Sequence, residues 1–365
     1  MSAVFMEKLI QYASWGVDIC TLAPEGLNEM AFVTGGTGLL GARLIYDLVK
    51  AGQEVVALKR STSDLSVVEG VFNYYEKEEG PALYKKVLWH EGDVTDVPSL
   101  LEVLREGDEV YHCAAMVSFN PKAKDRMMKV NVEGTANLVN ACLEKKVRKL
   151  CFASSVAAIG KATDGAEVTE DTKWKTSDGK SNYSISKYNS EKEVWRGIEE
   201  GLDAVMVNPT IIMGPGNWRK SSARMFLNVW RGLKFYTTGV NGFVDVRDVT
   251  GTMIKLMKSD ISAERFIISS ESLPFKSVFD MIADGLGKPR PTFEVTPFYS
   301  EIFWRLDRIK SLLGAKASVS KEIARESQHK SYYSVDKLKG ALGVEMIPIA
   351  ESVSDTSRLF LDQQS

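Results

Sequence analysis

The chain is poor in the residues that hold metals or form disulfides. Its four cysteines, Cys20, Cys113, Cys142 and Cys151, show no metal-type spacing, and three lie in apolar runs that suit buried free thiols of a reducing compartment. The three histidines, His90, His112 and His329, cluster neither with one another nor with cysteine, so no metal is expected. No block of one charge sign runs through the sequence. Its 46 Lys and Arg nearly cancel its 48 Asp and Glu, which offers a nucleic-acid backbone nothing to hold. No apolar run reaches the length needed to span a bilayer. The apolar N-terminal stretch is interrupted by Glu7, Lys8 and Asp18 with no basic segment before it, so it does not read as a secretion signal. Residues 1–29 are expected to be an N-terminal extension, packed outside the core or lying upstream of an ancestral start near Met30. The expected location is the cytoplasm.

What is present suits an ordinary enzyme: 365 residues, 44% hydrophobic and 26% charged, can bury one large α/β domain and a smaller appendage. From Met30 onward short apolar runs alternate with helix-length segments, as a parallel sheet with crossover helices requires. The strands read as "MAFVT", "EVVALK", "KKVLWHEGD", "DEVYHCAA", "VRKLCFASS" and "LDAVMVNP". Helices are expected from Lys122 to Lys145 and from Tyr183 to Gly201, and the fold class is a doubly wound parallel α/β sheet. After Pro209, "TIIMGPGNWRKSS" reads as a Gly-Pro-rich loop before a helix near Met225, and "GFVDVRDV" as a returning β-rich run. Further helices are expected near Ser277 to Gly285, Tyr299 to Leu313 and Ser334 to Leu342. Residues 30–209 and 243–268 are assigned to the sheet domain, and residues 210–242 and 269–365 to a smaller substrate-binding domain at its carboxyl edge.

Between the first strand and its helix lies "TGGTGLLG". Gly35, Gly38 and Gly41 permit a tight turn, close backbone approach to a pyrophosphate and close helix packing, while the helix N-terminus supplies N–H groups and a favourable dipole. Thr37, Leu39 and Leu40 complete this expected cofactor turn. An acid at the end of the second strand would bind a ribose 2'-hydroxyl, but Lys59, Arg60, Ser61 and Thr62 stand there. Arg60 can hold a 2'-phosphate through charged hydrogen bonds, so NADP(H) is expected in preference to NAD(H); the same residues also describe a solvated basic turn. "NYSISKYNSE" places Tyr183 and Lys187 four positions apart on one helix face. An ammonium beside a phenol lowers a value ordinarily near about 10, so Tyr183 can protonate a carbonyl oxygen. Taken alone, the pair also describes a surface helix.

These motifs resemble the short-chain dehydrogenase/reductase superfamily, and the TGGTG form looks like its extended branch. The likeness runs from Met30 through "NPTIIMGPGNW" and "GFVDVRDV", and is nearest in look to bacterial proteins related to dihydroflavonol reductases and 3β-hydroxysteroid dehydrogenases. It implies that "EGDVTD" sets Asp93 and Val94 beside an adenine, and that "HCAAMVSF" runs Ala114, Ala115 and Met116 along the cofactor. Pro209 is counted with the cofactor site, and Lys187 would also bond the nicotinamide ribose. Counted back from Gly160, Ser155 falls at the family's catalytic serine, with Ser154 in that place if the count slips by one. Asn131 in "VNVEGTANL" matches an asparagine that supports the lysine through water, and it also suits helix initiation or packing. Asn208 stands where many relatives carry arginine. A homodimer through the helices holding Asn131 and Tyr183 is implied as possible.

The expected reaction is reduction of a small, largely apolar carbonyl substrate, with no nucleic-acid or membrane partner. Met116, Val117, Phe119 and Ile159, joined by Ile211, Ile212, Met213 and Trp218, are expected to line its cleft, or else to pack the domain junction. A nucleotide-sugar epimerase is the alternative, with Arg219, Arg224 and Arg231 as diphosphate ligands or as solvated charges. Val156, Ala157 and Ala158 after Ser155 disfavour a dehydratase, which carries an acidic pair there. A dinucleotide-sensing regulator would have lost the Tyr-Lys pair that this chain keeps.

Overall fold

A computed structural model describes residues 30–162, 165–175, 180–296 and 327–363. Residues 1–29, with Cys20, and the expected Tyr299 to Leu313 helix fall outside the described residues. The strand runs expected from the sequence form β1 (Ala31–Thr34), β2 (Val55–Lys59), β3 (Leu88–Glu91), β4 (Glu109–His112), β5 (Lys149–Ala153) and β6 (Ala204–Pro209). They pair in parallel in the order β6-β5-β4-β1-β2-β3, and a seventh strand, Glu264–Ile268, joins beyond β6. Alternation along each strand feeds two cores. Ala31, Val33, Val55, Ala57, Val205 and Val207 face one layer, and Phe32, Val56, Leu58, Leu150, Phe152 and Met206 the other. With both faces covered, the strands carry apolar residues throughout and show no polar stripe. The Leu39–Lys50 and Val246–Met257 helices cover the first face; the Gly134–Lys145 and Asn182–Glu199 helices cover the second. Because β1 lies between β2 and β4, strand order reverses there and opens a crevice at the carboxyl ends.

Two expected features come out differently. "TIIM" is not a loop: only Thr210 separates β6 from β7 (Ile211–Met213). After β8 (Phe235–Thr237), the "GFVDV" run lies in β9 (Val240–Asp245), which pairs in parallel with β7 and not with the large sheet. The strand Glu264–Ile268 is therefore β10, and β11 (Glu271–Pro274) adds antiparallel to β9. β9 thus crosses the expected division between Gly242 and Phe243. The Arg224–Trp230, Phe275–Gly285 and Ile349–Asp362 helices enclose a third core with Met213 and Phe243 at its centre. The expected Lys122 to Lys145 helix is broken into a Pro121–Ala123 turn, a short helix, a π-helical turn over Lys129–Glu133, and the Gly134–Lys145 helix.

Candidate active site

Steric constraint builds the glycine turn. Gly35 has φ of +71°, and a Cβ there would lie 2.5 Å from the Ala114 nitrogen. A Cβ at Gly41 would lie 2.3 Å from the Gly35 carbonyl oxygen, so the turn and the helix can approach only as glycines. A Cβ at Gly36 would meet only the tip of the Ile45 side chain at 2.6 Å, a contact that a side-chain shift can relieve. The Gly38 N–H donates to the Gly35 carbonyl at 2.9 Å, and Gly38 opens the Leu39–Lys50 helix without a side-chain cap. A cradle that a Cβ would fill, ending on uncapped helical N–H groups beside Thr37, Leu39 and Leu40, fits a pyrophosphate.

The other expected cofactor positions lie along the same strand ends. Arg60 is exposed on a turn closed by Ser63 N to Arg60 O at 2.9 Å and by Arg60 N to Ser63 Oγ at 3.0 Å. The nearby acid, Asp64, accepts from the Ser66 N–H and hydroxyl at 3.0 and 2.6 Å. Those bonds commit it to its own turn and hold its carboxyl below the ordinary range. Asp93 likewise accepts from Thr95 N–H and hydroxyl, and Val94 is buried with its carbonyl bonded by Asn137 Nδ2 at 3.1 Å. The Ala114 N–H donates to Thr34 Oγ1 at 3.3 Å. Ala115 is exposed, whereas Pro209 is buried at the end of β6.

Tyr183 and Lys187 project from the first two turns of the Asn182–Glu199 helix, which Ser181 caps through Ser184 N at 3.0 Å. Ser155 follows the end of β5 and lies near enough to the Tyr183 phenol to draw its pKa down, whereas the Ser154 hydroxyl is buried without a partner among the described residues. Lys187 is 2% exposed, donates to the Ala153 carbonyl at 2.8 Å and lies 4.4 Å from the Phe152 ring centre. Burial holds its ammonium down to about 8. One expectation is corrected here. Burial pushes the Tyr183 phenol up, and the group that pulls it back is Ser155, not Lys187, whose Nζ is turned to Ala153.

Asn131 is buried on the π-helical turn, where an extra residue in the turn aims its amide sideways. It accepts from the Met116 N–H at 2.7 Å and donates to the Met116 carbonyl and to Ser186 Oγ, both at 2.9 Å. Behind it stands a group that no local sequence pattern marks. His112, fully buried, bridges Thr34 Oγ1 at 2.7 Å and Thr135 Oγ1 at 3.0 Å, and burial pushes its pKa down to about 3, so it is neutral. Thr135 and Ser190 both donate to the Asn131 carbonyl. Segments far apart in sequence thereby lock the glycine turn, the Met116 segment and the Asn182–Glu199 helix together.

The apolar residues expected around the carbonyl divide. Phe119 sits edge-on to Tyr183 at 6.2 Å between ring centres, and Val117, two residues earlier in the chain, is 58% exposed. Met213, Ile159 and Trp218 do not belong to that cleft. Met213 is wholly buried in the third core, and Ile159 is buried with Val168 and Ile267. Trp218 packs edge-on to Phe360 and Phe226 at 4.9 and 6.0 Å. Burying such large side chains between elements removes more apolar area from water than lining an open cleft would. Arg219 is exposed and Arg231 ends the Arg224–Trp230 helix.

Comparison with known proteins matches this arrangement. The profile of the "NAD dependent epimerase/dehydratase family" fits residues 31–268. The chain is 30% identical over 269 residues to sterol demethylase protein B of Methylococcus capsulatus, covering 73% of this chain and 77% of that one. It is 27% identical over 267 residues to cinnamoyl-CoA reductase 1 of Petunia hybrida, covering 70% and 77%. The crystal structure of gox2253 superposes with a TM-score of 0.77 at 28% identity, covering 92% of this chain and 99% of that one. With the glycine cradle, the seven-stranded sheet and the Tyr-Lys helix in place, the chain belongs to the NAD-dependent epimerase/dehydratase family, the extended branch of the nicotinamide-dinucleotide-dependent short-chain dehydrogenase/reductase enzymes.

Proposed function

We propose that the protein is an NADP(H)-dependent reductase of a small, largely apolar ketone or aldehyde. The observation that carries this is the placing of Tyr183 and Lys187 on one helix, with Ser155 near enough to draw the phenol's pKa down and Phe119 edge-on to the Tyr183 ring. The cofactor would be held by Gly35, Thr37, Gly38, Leu39, Leu40 and Gly41 at its pyrophosphate, by Arg60 at a 2'-phosphate, by Asp93 and Val94 near adenine, and by Ala114, Ala115, Met116, Lys187 and Pro209 toward nicotinamide. When bound, it supplies the hydride that reduces the carbonyl carbon. Ser155 donates a hydrogen bond that orients the carbonyl oxygen, and Tyr183 hands its phenolic proton to that oxygen. Lys187 would bond the nicotinamide ribose, and Asn131 holds the Met116 segment against the catalytic helix.

No acid follows Ser155; Val156, Ala157 and Ala158 do, which leaves nothing to expel water from a sugar. We further read the protein as cytoplasmic and as a homodimer through the Gly134–Lys145 and Asn182–Glu199 helices, a reading that sedimentation of the purified chain tests. For the chemistry, NADPH oxidation is followed with a panel of aromatic and alicyclic ketones and aldehydes. Turnover of members of that panel is expected. Its absence, together with exchange of configuration in a UDP- or dTDP-sugar, would overturn the reading in favour of an epimerase.

A further inference from the structure

The catalytic helix carries a second buried charge that this chemistry leaves unused. Glu191, one turn beyond Lys187, is 2% exposed. Its Oε2 accepts from Arg265 Nη1 at 2.9 Å and its Oε1 from Asn208 Nδ2 at 2.5 Å. The same Asn208 amide gives its other proton to the Ser155 carbonyl at 2.9 Å. Asn208 lies on β6 and Arg265 on the neighbouring β10, whose guanidinium also reaches the Glu170 carbonyl. A buried ion pair is weak evidence for stability, because well-packed apolar residues often replace one without loss. Here its placement has a direct use. One amide ties the loop bearing Ser155 to the helix bearing Tyr183 and Lys187.

We propose that Asn208 and Glu191 are positioning residues for the Tyr183–Lys187–Ser155 group: Asn208 fixes the Ser155 loop, and Glu191 supplies the negative charge that keeps Lys187 an ammonium. The inference rests on the roles given above to those three residues. The groups facing Lys187 support it. From β5 come the Ala153 carbonyl and the Phe152 ring, and from the end of β4 come neutral His112 and the Cys113 thiol, which burial pushes up to about 12. From its own helix, one turn away, comes Glu191, whose charge opposes the burial that drags Lys187 down. Of these facing groups Glu191 is the anion at neutral pH. Without its charge, burial would act almost unopposed, and the unpaired Arg265 cation would push the same way.

The test uses Glu191→Gln in the full chain, which keeps shape and an acceptor oxygen but removes the charge. Lys187 is titrated by NMR of lysine labelled at its terminal carbon, with Lys187→Arg identifying the resonance, and the kcat–pH profile is recorded beside it. The Lys187 midpoint and the alkaline limb of kcat are both expected to move to lower pH by about one unit or more. An unmoved Lys187 midpoint in folded protein would overturn the charge role. If neither protein reduces any carbonyl, the reductase reading fails while the NMR titration still decides this proposal. Asn208→Ala tests the other half and covers a Glu191 variant that does not fold. It should lower kcat about tenfold with NADPH affinity unchanged, and an unchanged kcat would overturn the positioning role.

Discussion

Arg60 does at one position what a whole loop is needed to shape. It stands at the end of β2 on a turn held by Ser63, while Asp64, the acid that could have competed for a ribose, is spent on Ser66. An exposed guanidinium gains from a dianionic phosphate only when it is bound through paired charged bonds. Arg60→Ala is therefore expected to weaken NADPH binding by about tenfold or more and leave NADH binding nearly unchanged, read by fluorescence titration. Equal affinities for the two cofactors in the unmodified protein would remove the assignment. Tyr183 is the proposed proton donor at the same scale. Tyr183→Phe keeps the edge contact with Phe119 and loses the phenolic hydroxyl that Ser155 acts on. Turnover should fall by about a hundredfold or more with NADPH affinity retained, and unchanged single-turnover reduction would mean that another acid supplies the proton.

At the scale of elements, the π-helical turn at Lys129–Glu133 shows why one residue can matter to three segments. Asn131 satisfies both backbone groups of Met116 and bonds Ser186 on the Asn182–Glu199 helix. Asn131→Ala would strand those partners in a buried site, at a cost of about 1–3 kcal/mol. A lower thermal midpoint and a lower kcat are expected together; loss of stability with kcat intact would make Asn131 a packing residue alone. The sequence disclosed the members of this arrangement unevenly. Tyr183 and Lys187 share a helix face, so their spacing is local and visible. Gly35 and Gly41 were legible because only glycine tolerates the contacts made there. The bridge from Thr34 through His112 spans 78 positions, and Asn131 reaches Ser186 across 55, distances that no local pattern records. For the same reason the expected boundary at Gly242 falls inside β9: its apolar run fits either sheet, and its pairing with β7, only three residues long, decides. Trp218 and Met213 looked like cleft residues because composition cannot tell a lining from a junction.

Across the whole molecule, the Val246–Met257 helix joins the two halves. Thr250 donates to Asp47 at 2.6 Å on the helix after the glycine turn, and Arg247 pairs with Asp355 at 3.0 Å on the Ile349–Asp362 helix. Between them, Asp248 accepts from the Ile347 N–H at 2.9 Å. Burial first, then the charges of Asp245 and Glu351, push its carboxyl up to about 6, against the Ile347 bond and Arg247. An unfolded aspartate titrates near about 3.9. Between those two values the folded chain keeps a proton that the unfolded chain releases, so the contribution of this group to stability is full in acid and is lost as pH rises through 6. Asp248→Asn keeps an oxygen for Ile347 and removes the charge. The variant is therefore expected to melt at a higher temperature than the parent at about pH 8, and the difference should close toward about pH 4. Melting curves of both proteins across that range decide it: a variant less stable at neutral pH than the parent would show that the Asp248 carboxylate holds the C-terminal helix in place and does not strain it.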